Sequence, residues 1–452
     1  MKKILKYIML AVVTIVMASC TSDIEETTAT TGKNNIQLVV GEFPAFGDSQ
    51  TRAIGTTDEG KTSWAVGDEL ILEIDNTSYG RHSATFTYNG KSWELTSGEL
   101  VYLEGDPAYI PHVYYAPNYK WEAGELHLKK GKAAGTDECI EGKAIITGNG
   151  ETITVSFAEA TRKYSRLRIA TIPNEQITVD TEYFTPAGSS DMEQKGNYTL
   201  TSDEKGNAYL YGTFEIDSEV TVKYRESSLT TYIFSQATES AKSYALDATV
   251  ISANSAEEIK SAIEQKVADG KTAIRLNLAS DAGDNEFKAI REAFENVQDG
   301  TIDLTLIGCK EIPANGLNNQ LGELEALKSI SLPDVTKIGK NALLFCVYLE
   351  EINTPNVTSI HENAFGGCTN LQKITFGELT EVKGLDYDGI LDPGVDTKSI
   401  NLVLSENQKV MKNNRQGNEY IWKPTGESYF ASPDSDNGIF LDYQFRSVKS
   451  WE

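Results

Sequence analysis

Cysteine is scarce in this chain: there are five in 452 residues, none in a C-x-x-C or metal-like spacing. That excludes a disulfide framework and a cysteine-based metal centre. Histidine is scarcer still, with His82, His112, His127 and His361 in four separate contexts. His361-Glu362-Asn363-Ala364-Phe365 opens like the H-E-x-x-H zinc motif, but Phe365 stands where the second histidine would complete the site. The chain also lacks G-x-S-x-G, a Walker loop, a dinucleotide glycine fingerprint and a cysteine with a plausible histidine. Carboxylates are too numerous for a glycosidase pair to be singled out. No enzyme activity, metal or cofactor is expected. Positive charge is short as well, 41 Lys and Arg against 66 Asp and Glu for a net charge of -25. Such a surface repels phosphate backbones and anionic headgroups, so nucleic acid is excluded as a partner.

What is present begins with a leader. Lys2, Lys3 and Lys6 give a cationic start, residues 8–17 form an apolar run broken by Thr14, and Ala18, Ser19 and Cys20 are small residues at a cleavage site. The run is about ten residues, too short to span a bilayer. Residues 1–19 are therefore a signal peptide, and its loss takes the charge from -25 to -28. Met17-Ala18-Ser19-Cys20 resembles a bacterial lipobox, which implies a covalent lipid on Cys20 and anchorage in the cell outer membrane. The alternative is an ordinary signal peptide with Cys20 left as a free thiol. Residues 20–35, rich in Thr, Glu and Asp, form a flexible tether. The acidic Asp23, Glu25 and Glu26 resemble the export signal that sends lipoproteins to the outer face in some Gram-negative anaerobes.

Length predicts about three domains, at ~150 residues each. From residue 36 to about 250 the pattern is short alternating strands separated by turn pairs such as Asn89-Gly90 and Asn149-Gly150. One set lies at 36–40, 69–74, 84–88 and 152–157, a second at 166–172, 176–181, 208–214, 220–224, 231–234 and 244–250. This predicts two antiparallel β-sandwiches, residues 36–165 and 166–252. Tyr109, His112, Tyr114, Tyr115, Tyr119 and Trp121, interleaved with prolines, are read as core and rim of the first; a sugar-stacking platform is the alternative.

Thr51-Arg52-Ala53, the stretch 64–70 (WAVGDEL), the stretch 86–93 (FTYNGKSW) and Tyr114-Tyr115-Ala116-Pro117 together resemble the fimbrillin family of fimbrial lipoproteins and their Mfa-like relatives. The resemblance implies two transthyretin-like sandwiches. It also implies cleavage after an arginine, with Arg52 at the matching position, so that the first strand leaves and a strand from a fimbrial subunit replaces it. A plain surface arginine in a loop is the other reading of Arg52. Family members that polymerise offer a donor strand near the C-terminus. Here residues 253–452 follow, which suits a strand acceptor or a terminal subunit, at tip or base.

Those residues, 253–452, carry a repeat. Ser255 and Glu258 form a capping box for a helix ending near Ala268 and closed by Gly270; a strand at 273–278, a helix at 285–297 and a strand at 301–307 follow. Leu327, Leu349 and Leu371 are then spaced by 22, as are Ile330, Ile352 and Ile374, while Ile338 and Ile360, Ala342 and Ala364, and Cys346 and Cys368 keep the same step. A longer copy precedes them by 26, with Leu304, Leu306 and Ile312 ahead of Ile330, Leu332 and Ile338. A 22-residue period predicts a solenoid with one strand per turn. The unit 360–374 resembles the BspA-like leucine-rich repeats of bacterial surface antigens. Cys346 and Cys368 are expected to stack inside as buried thiols. Ser329, Glu351 and Lys373 in one ladder, and Ser331, Asn353 and Thr375 in the next, are expected on the exposed strand face. That face is either the binding surface for a protein or glycan ligand or merely solvated. The segment 422–451 is expected to be an irregular cap. The function these features imply is surface adhesion by an accessory, tip or anchor fimbrial subunit, with a non-fimbrial receptor as the alternative.

Overall fold

Strands that alternate apolar and polar residues bury one face each, and both halves of the chain are assembled from such strands. The computed structural model describes residues 37–48, 61–77, 80–99, 108–147, 152–157, 162–225, 227–253, 255–319, 324–385, 389–391 and 394–451. Cys20, Arg52, the leader and the tether lie outside the described residues. The chain divides into two compact units, one running to Lys223 and including Thr230–Ala248, the other comprising Tyr224–Leu229 and Thr249–Glu452.

In the first unit a five-stranded antiparallel sheet runs Trp93–Gly98, Gly80–Tyr88, Glu69–Asn76, Ala108–Tyr115, Ile140–Glu141. A three-stranded sheet sets Thr152–Ser156 between Gln37–Val40 and Lys143–Thr147. In a larger sheet Glu219–Tyr224, Gln176–Pro186, Asn207–Phe214, Ser165–Ala170, Lys242–Asp247 and Gly47–Asp48 follow one another. Glu193–Thr201, a strand absent from the sequence reading, pairs along Gln176–Pro186.

The expectation of purely antiparallel sandwiches needs correction. Gln37–Val40 runs parallel to Thr152–Ser156, Ser165–Ala170 parallel to Lys242–Asp247, and the latter parallel to Gly47–Asp48. Alternation tells which face a side chain takes and carries no information on strand direction. The N-terminal segment consequently contributes to two sheets, and its Leu38, Phe43 and Phe46 are buried between them. A buried ion pair fixes that segment. The Arg162 guanidinium donates to both oxygens of Glu138, at 3.2 and 2.8 Å, and to the carbonyls of Pro44 and Ala45, at 2.6 and 3.0 Å. It also lies 3.8 Å above the Phe46 ring. Tyr164 donates its hydroxyl to the same carboxylate. Side-chain exposure is 0% for Arg162 and 2% for Glu138, so every lone pair and N–H there must be matched within the protein.

The second unit opens on α1, Ala256–Ala268, and α2, Asp284–Phe294. The Ser255 hydroxyl accepts from the Glu258 backbone N–H, and Gly270 takes φ +75° just past the end of α1, the left-handed stop that favours glycine. Glu286 accepts from the Gly283 N–H at the start of α2. The helix stops at Phe294, short of the expected 297. A long parallel sheet follows: Ile251–Ser252, Ala273–Asn277, Ile302–Ile307, Leu327–Ser331, Glu351–Thr354, Lys373–Phe376, Asn401–Ser405, Ser447–Trp451. A second sheet stacks Glu311–Ile312, Lys337–Ile338, Ser359–Ile360 and Glu381–Leu385 in parallel, so each coil adds one rung to each sheet. Ile330, Ile352 and Ile374 are in register in the first, and Ile312, Ile338, Ile360 and Val382 in the second. All are buried, giving the core two aliphatic columns between the sheets.

The C-terminal cap is regular rather than irregular. Lys409–Gln416 and Glu419–Ser428 form a hairpin whose second strand pairs antiparallel with Glu381–Leu385, and Ser447–Trp451 adds parallel to Asn401–Ser405. A solenoid that simply ended would leave unpaired edges in both sheets. The cap supplies a strand to each.

Candidate functional site

The strand face of the repeats holds the ladders. Asp303, Ser329, Glu351, Lys373, Asn401 and Ser447 form one column in successive register, and Thr305, Ser331, Asn353, Thr375, Val403 and Lys449 the next. Neighbouring rungs bond to one another. Ser329 donates to Asp303 at 2.6 Å, Lys373 to Glu351 at 2.7 Å, Ser447 to Asn401 at 2.9 Å and Asn353 to Ser331 at 3.3 Å. All six expected rungs are thus brought together, with one departure. Thr375 is buried, at 9% exposure. It lies between Asn353 and Val403, and the Trp451 indole of the final strand donates to the carbonyl of the next residue, Phe376, at 3.0 Å.

Two further columns escaped the sequence reading although their spacing was visible in it. The hydroxyls of Thr336, Thr358 and Thr380 donate to the carbonyls of Lys310, Thr336 and Thr358, each at 3.2 Å, and tie each of these three coils to the one before. Asn315, Asn341 and Asn363 take φ of 59°, 54° and 51° at equivalent turns, where asparagine tolerates the left-handed region better than most residues.

The cysteines of the repeats are free and buried, and Cys139 is free and part-buried. Cys346 donates to Leu317 O at 3.4 Å and Cys368 to Leu343 O at 3.1 Å. Contact with Cys368 and then burial raise the Cys346 thiol well above its ordinary range, and burial pushes Cys139 and Cys309 up to about 12. The Cys346, Cys139 and Cys309 thiols stay protonated, and the buried repeat cysteines serve as small apolar groups. His361 is held below the usual histidine range by burial and by Lys383 and Lys337, while Phe365 is buried and stacks on Phe376 at 5.9 Å. Among the described residues no group of three or more His, Cys, Asp or Glu is placed to hold a metal ion.

The aromatic cluster of the first unit divides in two. Tyr115 and Tyr119 are core, and Tyr119 donates to Ala187 O at 2.9 Å. Tyr109 is exposed and donates to Asp75 at 3.0 Å. His112, Tyr114 and Trp121 are half-buried and pack together: Tyr114 stacks with His112 (centroids 5.8 Å apart, planes at 14°) and with Trp121 (5.5 Å, 29°), while His112 and Trp121 are tilted (5.4 Å, 41°). Trp121 is carried by the hairpin Tyr119–Glu122 and Glu125–Leu128, whose turn residues Ala123 and Gly124 both have positive φ, the geometry of a two-residue hairpin turn. Glu141, the cross-strand neighbour of Tyr114, accepts from that phenol at 3.5 Å and lies 3.1 Å from His112 Nδ1 and 3.7 Å from Lys163 Nζ. Burial and the Glu141 charge push the Tyr114 phenol up to about 12, so it remains a donor at neutral pH.

The parallel array of the second unit, one strand per coil in its long sheet, has the form of a leucine-rich-repeat region. Residues 317–385 match the family model of the BspA type leucine rich repeat region, in six copies. No curated protein matches the chain. A solved structure that does is the minor pilin GBS52 of the Gram-positive pathogen Streptococcus agalactiae, at 9% identity over 47% of this chain and 94% of that one, with a TM-score of 0.16. That likeness is too low to define a shared fold.

Proposed function

We propose that this chain is a lipid-anchored surface protein that mediates adhesion by protein–protein contact through its repeat array. The observation that carries the proposal is the ladder from Asp303 to Ser447. The core column stays aliphatic from coil to coil (Leu304, Ile330, Ile352, Ile374, Leu402, Val448), while the outward rungs change in charge and polarity along it. Repeat folds use such a face for binding because its rungs vary without disturbing the core. Supporting it are the BspA-type match over residues 317–385 and the lipobox-like stretch ending at Cys20, which together favour the outer membrane as the site of action. The reading gives the chain no catalytic role and no cofactor beyond lipid on Cys20. Cells displaying the wild-type chain should adhere to epithelial monolayers. Cells displaying the charge-reversed pair Glu351→Lys with Lys373→Glu, at equal surface density, should lose at least fivefold in adherence. Unchanged adherence would sink the proposal.

The finer role we favour is that of a strand acceptor in a fimbrial assembly. Gln37–Val40 is an edge strand that buries Leu38 against Thr152–Ser156, so its removal would open an apolar groove with free backbone groups. Cleavage at Arg52 is the step that would free it. Mass spectrometry of surface-released protein should find a product beginning at Ala53; an N-terminus only at Cys20 leaves the receptor that never enters a fibre as the correct account.

A further inference from the structure

We infer that the first unit carries a binding site for a neutral pyranose sugar, built on the rings of His112, Tyr114 and Trp121. The three centroids form a nearly equilateral triangle of 5.4 to 5.8 Å, and the planes lie within 41° of one another. The result is a shelf in which Tyr114 stacks with His112 at 14° and with Trp121 at 29° while His112 and Trp121 are tilted at 41°, unlike the edge-to-face packing between Phe43, Trp64 and Tyr115 in the core of the same unit. The rings are only half-buried. A pyranose has an apolar face of C–H bonds and a rim of hydroxyls. The C–H bonds complement the negative faces of aromatic rings, and the hydroxyls need a few fixed polar partners beside that surface to set orientation.

Those partners stand next to the shelf. Glu141 lies across the ladder from Tyr114 and shares its Oε1 with His112 and the Tyr114 hydroxyl. On the other side of the same strand, Glu73 is the cross-strand neighbour of His112. Glu73 is 3% exposed, and its Oε2 has no hydrogen-bond partner among the described residues. Glu141, whose side chain is 37% exposed, is the carboxylate that a ligand hydroxyl can reach, whereas Glu73 is closed to solvent. A cationic peptide is the less suitable occupant, because Glu141 is already compensated by Lys163 at 3.7 Å. Anionic sugars are disfavoured by the net charge of -25.

This site lies in the first unit and is independent of adhesion through the repeats, so the two proposals fail separately. The test uses the full chain on an array of neutral glucose, galactose, mannose and N-acetylglucosamine oligosaccharides in both anomeric linkages, with sialylated glycans and oligo-lysine as comparison probes. Wild-type protein should be retained on at least one neutral probe. Trp121→Ala should cut retention at least tenfold, and Tyr114→Phe, which keeps the ring and removes the hydroxyl, two- to fivefold with an unchanged melting temperature. If Trp121→Ala fails to fold, the Tyr114→Phe result decides. The inference is overturned by no neutral probe being retained, by retention of oligo-lysine alone, or by Trp121→Ala and Tyr114→Phe binding as the wild type does.

Discussion

The first unit encloses the Arg162–Glu138 pair beneath Phe46 and Tyr164, whereas the second sets its ion pairs between coils at the surface, as with Lys337–Glu311, Lys340–Glu362 and Lys373–Glu351. The buried pair reaches backbone carbonyls more than a hundred residues away, at Pro44 and Ala45. The surface pairs join residues 22 or 26 apart, one coil from the next. Each arrangement follows from how the unit closes its core. A solenoid repeats one solution, so every coil buries the same aliphatic positions and polar groups fall outside. A non-repeating sheet assembly meets each junction once, and the N-terminal segment crossing between two sheets carries carbonyls that no strand ladder satisfies. A guanidinium with five donors answers that local need.

The contrast is broken most severely at Arg162. Arg162→Met leaves Glu138 buried without its cation, which costs about 3–5 kcal/mol. Calorimetry should show the first unit melting earlier while the transition of the repeats stays in place, and a shift shared equally by both would refute the one-junction view. Next in size is Ile352→Ala, which opens a cavity in the aliphatic column and costs about 2–5 kcal/mol. Because each coil leans only on its neighbours, hydrogen exchange should rise first in coils 330–352 and 352–374, and uniform loosening of the whole array would count against nearest-neighbour stacking. The smallest effect is expected for Lys373→Met. Its pair with Glu351 leaves the two side chains 49% and 42% exposed, so denaturant unfolding should change by no more than about 1 kcal/mol. A loss comparable to that of Arg162→Met would erase the distinction between the two kinds of ion pair.

Legibility in the sequence divides along the same line. The register of Ile330, Ile352 and Ile374 and the burial of Cys346 and Cys368 follow from a 22-residue step, since equal spacing places equal residues on equal rungs. The threonine column 336, 358, 380 carried the same signal and was there to be found. In the first unit the strand segments were readable from alternation, but the parallel pairing of Gln37–Val40 with Thr152–Ser156 was not, because alternation is blind to direction. The exposure expected at Thr375 failed for a related reason: the Trp451 indole that donates to the carbonyl of the adjoining Phe376 comes from the cap strand 447–451, outside the repeat that defines the position of Thr375.

The sequence by itself determined the period of the array, the two buried columns, the thiols inside them and the division of the chain into strand-rich and repeating parts. All of these are local or periodic properties, encoded by the order of residues within a few coils. Tertiary structure alone decided that Glu138 and Arg162 clamp Pro44 and Ala45, and that His112, Tyr114 and Trp121 leave the core to form a shelf beside Glu73 and Glu141. Those groupings depend on cross-strand register and on which hairpin folds over which sheet, and neither is written in the spacing of neighbours along the chain.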